Sequence, residues 1–423
     1  MKTLTRKQVI GGALWLLVFA GTAYMAVRRY QEFINVVPNG PVGISGDFWT
    51  FLHASRAMSA GRSPYSFSEL AQGAGYVYSA FIALLLLPFC HAGNQHIWRI
   101  WTVLSIVAVV VFGVLVMMAE SCALGTLRRP LLAGFIMITA LEFMPTTVEF
   151  TSGQTDSFVL MALAAAVLAS DRGRAATSGA FIGVAALIKT WPLGAAISLC
   201  RRGYSKRRRA LTGLLITLLI APILALIIGG TSELVDFIKV TVDARNQQLP
   251  NFSVWGIPKV LFSNSGFARP ELVSTPLREL VTVALAVWVI GLLVLVLHWS
   301  DSLVLGFWNA TACVILLLPV SHFVYTMFWL PILWIWVGRW LAAPRFNDLV
   351  FFISAIMALW WLVTFNTGMD YGLSSPSLHF ALTFFANLAA VGVSILGDHL
   401  FRIHSNGESQ AGSRQATFIS GGP

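Results

Sequence analysis

Apolar runs close to twenty residues long recur from one end of this chain to the other, and few folds accommodate that. In lipid every backbone amide must be bonded internally, so only helices or a closed barrel can span. A barrel would show short alternating segments, and these runs do not alternate. The expectation is an all-α polytopic membrane protein. Composition agrees. Of the 423 residues, 57% are hydrophobic and only 11% are charged, against roughly 25% charged in a soluble domain. The net charge of +10 then reads as Lys and Arg in cytoplasmic loops, with no nucleic-acid partner expected. Cys90, Cys122, Cys200 and Cys313 have neither disulfide pairing nor zinc spacing, and no metal is expected.

Lys2, Arg6 and Lys7 precede an apolar run from Val9 to Val27. It is too long for a cleaved signal, so it reads as a retained first helix with a cytoplasmic amino terminus. Arg28 and Arg29 then fall on the external side, against the positive-inside trend. An external loop follows over 28–76. The stretch 76–89 is short for a span and reads as a re-entrant or interfacial helix. Further membrane segments are expected at 97–118, 131–145, 158–169, 211–228, 280–297, 303–318, 328–337, 349–365 and 380–396. That makes about 10–13 membrane helices, short ones included. A second external loop covers 230–277. The membrane domain takes in 1–403, with a disordered cytoplasmic tail at 404–423. No half-to-half repeat of the transporter kind is visible.

The segment from Ala175 to Cys200 is about one span long, yet DRGR precedes it and RRGYSKRRR follows it. A single crossing would put one basic cluster outside. A hairpin broken at Lys189-Thr190-Trp191-Pro192 keeps both inside. Lys189 is then either a functional group lining a cavity or a lysine snorkelling to a headgroup, and both readings stay open.

Between hydrophobic segments lies a polar island, Gly43 to Tyr65, with Asp47 at its centre. Asp47 can cap the helix-like run that follows, or it can serve as a base at the membrane surface. The expected topology puts Asp47, Gln154, the Asn246 loop and His322 on the external face. His53, Arg56, Arg62, Asp156, Arg245 and Gln247 join them. Taken singly these are bland residues: His322 suits packing, and Gln154 suits a helix end. Together they suit a sugar phosphate. Amides bond hydroxyls, cations neutralise a phosphate, and a carboxylate takes a proton.

Five segments in order carry a resemblance: GDFWTFLHASRAMSAGRSPY at 46–65, YVYSAFIALLLLPF at 76–89, SGQTDSFVLMALAAAVLASDRGRAATSGAFIGVAALIKTWPL at 152–193, RNQQLPNFSVWG at 245–256 and PVSHFVYTMFWLPIL at 319–333. They resemble the polyprenyl-phosphate-mannose-dependent mannosyltransferases of glycosyltransferase family 87, which have the GT-C fold. The resemblance implies that Asp47 is the general base and that His322 and Lys189 lie near the lipid phosphate. It implies that Gln154 and Asn246 line the donor cavity; Arg56, Arg62, Arg245 and Gln247, placed on the same face by the expected topology, are the further donor- and phosphate-binding candidates. It further implies a polyprenyl-phosphate sugar donor, no other cofactor, and a glycolipid or polysaccharide acceptor. The site would be on the periplasmic side of the inner (plasma) membrane, among membrane lipids, with both termini cytoplasmic. The chain departs from the family's pattern at Tyr78-Ser79-Ala80, where Tyr-Pro-Pro is frequent. It departs also at Asp156, where Asn is common, and at Gln248, where Ser is common. These departures leave arabinose and glucose open beside mannose. A flippase or transporter of lipid-linked sugars is the alternative from another class.

Overall fold

The computed structural model describes residues 5–38, 45–65, 76, 78–120, 124–202, 204–229, 235–240, 251–264, 270, 272–300, 302–342, 381 and 384–399. Every regular element among them is helical. In chain order they are α1 (Arg6–Phe33), α2 (Gly46–Ser59), α3 (Ala80–Leu86), α4 (Asn94–Glu120), α5 (Arg128–Glu142), α6 (Met144–Ser152), α7 (Asp156–Asp171) and α8 (Ala175–Ile188). A 3-10 segment, Trp191–Cys200, leads to α9 (Arg207–Gly229), α10 (Gly256–Phe262), α11 (Thr275–Trp299) and α12 (Leu303–Leu317). A second 3-10 segment, Phe323–Trp329, precedes α13 (Leu330–Ala342), and α14 is Phe384–His399. The chain is an all-α polytopic membrane protein. The span expected at 349–365, the tail at 404–423 and the site residues Arg245, Asn246 and Gln247 lie outside the described residues.

Among the described residues three helices are long and apolar enough to cross a bilayer: Arg6–Phe33, Asn94–Ala119 and Thr275–Trp299. The single span expected at 131–145 is instead two helices, α5 and α6, bent by 49°. Phe143 is extended (φ −63°, ψ 130°) and Pro145 opens the new helix, where its missing N–H leaves no bond unmade. The first helix runs past Val27 to Phe33, which corrects the loop start at 28. Arg28 and Arg29 are therefore helical. Both pair with Glu142 of α5, and Arg29 also donates to the Leu141 carbonyl at 3.0 Å. Their charge is neutralised in place, so they sit at that end without breaking the positive-inside logic.

The other basic clusters gather at the opposite end of the bundle. Arg128 donates to the Ala342 carbonyl at the close of α13. Arg339 pairs with Asp398 at 2.8 Å, and Asp398 accepts from Ser300. Arg201 reaches the Ser302 carbonyl at 2.6 Å, and Lys206 reaches Gly173 at 3.2 Å.

The last contact settles the path of 175–200. Gly173 precedes α8 and Lys206 follows the 3-10 segment, so both basic ends meet. A Cβ on Gly179 would lie 1.8 Å from the Ala210 carbonyl oxygen, and one on Gly183 would lie 2.7 Å from Thr217. α8 and α9 therefore run parallel in near backbone contact, with small residues permitting the approach. The chain goes up through α8, returns through 191–200, and goes up again in α9. The expected hairpin is present, with Lys189 at its apex.

A cleft of about 580 Å³ opens between α3, α4, α7 and α8. Its walls are apolar, with Phe81, Ile97, Trp101, Phe158 and Ile188 at one end and Leu115 at the other. From Ile97 to Leu115 it follows about 27 Å of α4.

Candidate functional site

α2 is anchored by Phe48, Phe51, Leu52 and Ser55, all buried at helical spacing. Phe48 packs on Trp98 and Trp101, with ring centroids at 5.2 and 5.5 Å. Ser45 precedes the helix in the left-handed region (φ 63°), and its N–H donates to the Thr151 carbonyl at 2.6 Å. A serine holds that backbone only when its surroundings fix it. The result is an α2 amino terminus clamped to α6, with Asp47 in its first turn.

The chain after α6 turns on Gly153, at φ 70°. A Cβ there would lie 2.6 Å from both Phe48 and Trp98, so conformation and space each require glycine. Trp101 Nε1 donates to the Gly153 carbonyl at 3.1 Å. This turn aims Gln154 at α2, and Gln154 Nε2 donates to Asp47 Oδ2 at 2.9 Å. Lys189 Nζ donates to Gln154 Oε1 at 2.7 Å and to Asp156 Oδ2 at 2.6 Å. Asp156 begins α7 and Lys189 closes α8, so each charge meets the helix end that favours it. Glu149 of α6 also serves the α7 terminus, accepting from the Ser157 N–H at 2.8 Å.

Aromatic rings wall the lysine. Its ammonium lies 5.0 Å from the Tyr325 ring centre and 5.6 Å from that of Tyr78. His322 is one ring further, edge-on to Tyr325 at 5.5 Å. Ser79 Oγ donates to the Leu187 carbonyl, tying the start of α3 to the end of α8. Tyr325 escaped the sequence reading, and Tyr78 entered it only as part of a departure from the family's pattern. The signal for them was the lysine itself, since an ammonium at membrane depth needs rings or acids around it.

Electrostatics follows from this packing. Burial pushes the Asp47 carboxyl up from 3.8 to about 6; the charge on Asp156 adds to the rise, while Lys189 and the Gln154 bond oppose it. Burial, with a smaller push from Lys189, lowers His322 to about 4. At that value the His322 ring is neutral at pH 7 in the unliganded site.

The structure thus joins Asp47, Gln154 and Lys189, with His322 alongside. The other expected cations lie elsewhere. Arg56 is about 13 Å along α2 from Asp47, where its guanidinium donates to Cys90, Ala92 and Asn94. Its part is to hold the start of α4. Arg62 is exposed beyond the far end of α2. Among the described residues the Asp47 side chain makes no capping bond to α2; it accepts from Gln154 through Oδ2.

A helical membrane protein with a carboxylate held among amide, ammonium and aromatic groups, beside an apolar cleft, is built to handle a polar substrate at a bilayer. The sequence profile of glycosyltransferase family 87 matches residues 76–322, more than half of the chain, and the chain belongs to that family. It is a membrane glycosyltransferase. A search of curated proteins finds no match. The matched region holds Gln154, Lys189 and His322, and Asp47 reaches it through the bond from Gln154.

Proposed function

We propose that the protein transfers one sugar, mannose in the first instance, from a polyprenyl phosphate to an acceptor hydroxyl on the external face. The observation that carries this is Asp47. It is half-buried, its Oδ2 is held by Gln154, and among the described residues Oδ1 has no hydrogen bond. A general base needs one oxygen fixed and one available. The acceptor O–H gives its proton to Asp47 while its oxygen attacks the anomeric carbon. The bond from that carbon to the phosphate oxygen breaks, and polyprenyl phosphate leaves with the electron pair. Attack from the side opposite the phosphate turns a β-linked donor into an α-linked product. Neutral His322 and the aromatic wall at Tyr78 and Tyr325 suit the sugar phosphate, by hydrogen bonding and by ring contact. The apolar cleft supports a lipid-linked donor, because Ile188 and Phe158 in its wall adjoin Lys189 and Asp156. The external side is supported by the basic ends of 128, 174, 201 and 206 lying opposite the site.

The test is transfer from polyprenyl phosphate mannose into a membrane lipid extract, with wild type and Asp47→Asn side by side. Loss of at least a hundredfold in kcat with donor binding retained is expected, the range for a lost general base. Equal transfer by both proteins would remove Asp47 from the chemistry. Movement of the donor across vesicles without transfer would favour a flippase.

A further inference from the structure

The buried pair behind Gln154 is not explained by substrate binding. Asp156 is fully buried and Lys189 nearly so, and both side chains face protein groups. Taking two charges out of water is expensive, and an apolar pair of similar volume is often no less stable. The pair has one geometric consequence that an apolar pair would lack. A glutamine amide has an acceptor end and a donor end. An ammonium only donates, so it takes the acceptor, Gln154 Oε1, at 2.7 Å. The donor end is then forced toward Asp47, at 2.9 Å. The reversed amide would set NH₂ against the ammonium and a carbonyl against the carboxylate, and both contacts repel. Asp156 fixes the ammonium at 2.6 Å, and the α7 terminus fixes Asp156.

We propose that Asp156, through Lys189, is a positioning residue that sets the Gln154 amide and thereby the orientation and proton affinity of Asp47. It touches no reacting atom. The inference rests on the reading of Asp47 as the base. The groups that face Asp47 or stand behind those that do are Gln154, Tyr78, Tyr325, Lys189, Asp156 and Glu149, with His322 beyond Tyr325. Asp156 and Lys189 act on Asp47 with opposite signs. Asn at 156 still offers Lys189 an acceptor and keeps the amide set, so the lost charge lowers the acid limb; loss of Lys189 removes both its charge and the anchor of the amide and raises the limb, and a packing defect would not give opposite shifts.

The experiment measures kcat and KM for polyprenyl phosphate mannose from pH 4.5 to 8 in Asp156→Asn, Lys189→Met and Gln154→Met, with folding checked by size exclusion and thermal unfolding. Asp156→Asn should lower kcat about tenfold, leave KM within twofold, and shift the acid limb to lower pH. Lys189→Met should shift it to higher pH. Should Lys189→Met fail to fold, Gln154→Met keeps the ion pair and removes only the amide. It should lose kcat like Asp156→Asn while its limb moves to higher pH. Limbs that stay at the wild-type pH, or that move the same way in both charge variants, overturn the inference. So does Gln154→Met with wild-type turnover. If Asp47→Asn itself is fully active, the base reading fails and this inference falls with it. An inactive Asp47→Asn with unmoved limbs sinks the positioning role alone.

Discussion

With Asp47 as the proposed base, lowering the pH from 7 to 5 should cut kcat/KM about tenfold. With the Asp47 carboxyl at about 6, roughly nine-tenths of the base is ionised at pH 7 and roughly one-tenth at pH 5. A carboxyl left at 3.8 would be more than about nine-tenths ionised at pH 5 and would give a nearly flat profile. The rise comes first from burial and second from Asp156. His322, at about 4, adds no limb in this range. A phosphate-linked donor, as proposed, would bring another negative charge near Asp47 and raise it further. The limb in kcat, which reports the complex, should therefore lie at higher pH than the limb in kcat/KM, which reports the free enzyme. The assay is initial-rate transfer in detergent micelles at saturating and limiting donor, with thermal unfolding followed at each pH. Stability runs the other way. The folded value is above the unfolded one, so ionised Asp47 opposes folding above pH 6, and the opposition fades as pH falls toward 3.8. Activity lost below pH 6 with the fold intact is thus the expected pattern. A kcat/KM limb at pH 4 or below would refute the reasoning.

Gly179→Ala should lower stability by about 1–3 kcal/mol, the usual range for overpacking, because its Cβ would meet the Ala210 carbonyl oxygen at 1.8 Å and backbone cannot yield. Gly12→Ala, with nothing within 4 Å, is the neutral comparison in the same thermal unfolding measurement. Lys189→Leu leaves Asp156 buried without its partner and should destabilise by about 3–5 kcal/mol; Lys189→Leu with Asp156→Leu should recover most of that in chemical denaturation. Ala165→Trp fills the cleft beside α7. Excluding two donor methylenes removes about 1.6 kcal/mol, so KM for a long-chain donor should rise about tenfold while KM for a two-isoprene donor stays unchanged.

The membrane fold was legible because lipid permits so few solutions. Runs of span length were enough to give most of the described membrane helices, and the basic flanks the end at which 175–200 turns back. The breaks were harder. Pro145 marks the α5–α6 bend, but its effect depends on Phe143 going extended, which no periodicity records. Arg28 and Arg29 looked misplaced because their partner, Glu142, is more than a hundred residues away in sequence. Arg56 read as a phosphate ligand for a similar reason. A guanidinium turned onto carbonyls at Cys90 and Ala92 leaves no trace in spacing.

The ion pair of Lys189 with Asp156 was closer to hand than it looked. Gly173 lies in the left-handed region (φ 73°) and turns α7 back into α8 as an antiparallel hairpin. Residues equidistant from such a turn come level. Asp156 lies sixteen residues before Arg172 and Lys189 sixteen after Gly173, so the two meet wherever both helices run unbroken. The basic clusters had already implied that the chain turns back at Lys189. Combined, the two turns put an acid and a lysine at one point of one end of the bundle, with Gln154 two residues before the acid. What the sequence could not supply is the third partner. Asp47 enters from α2, through the clamp of Ser45 on Thr151 and the glycine turn at 153. The site is thus a hairpin tip, fixed by local geometry, to which a separate helix brings the carboxylate. A substitution at the tip should for that reason tune the Asp47 carboxylate without displacing it.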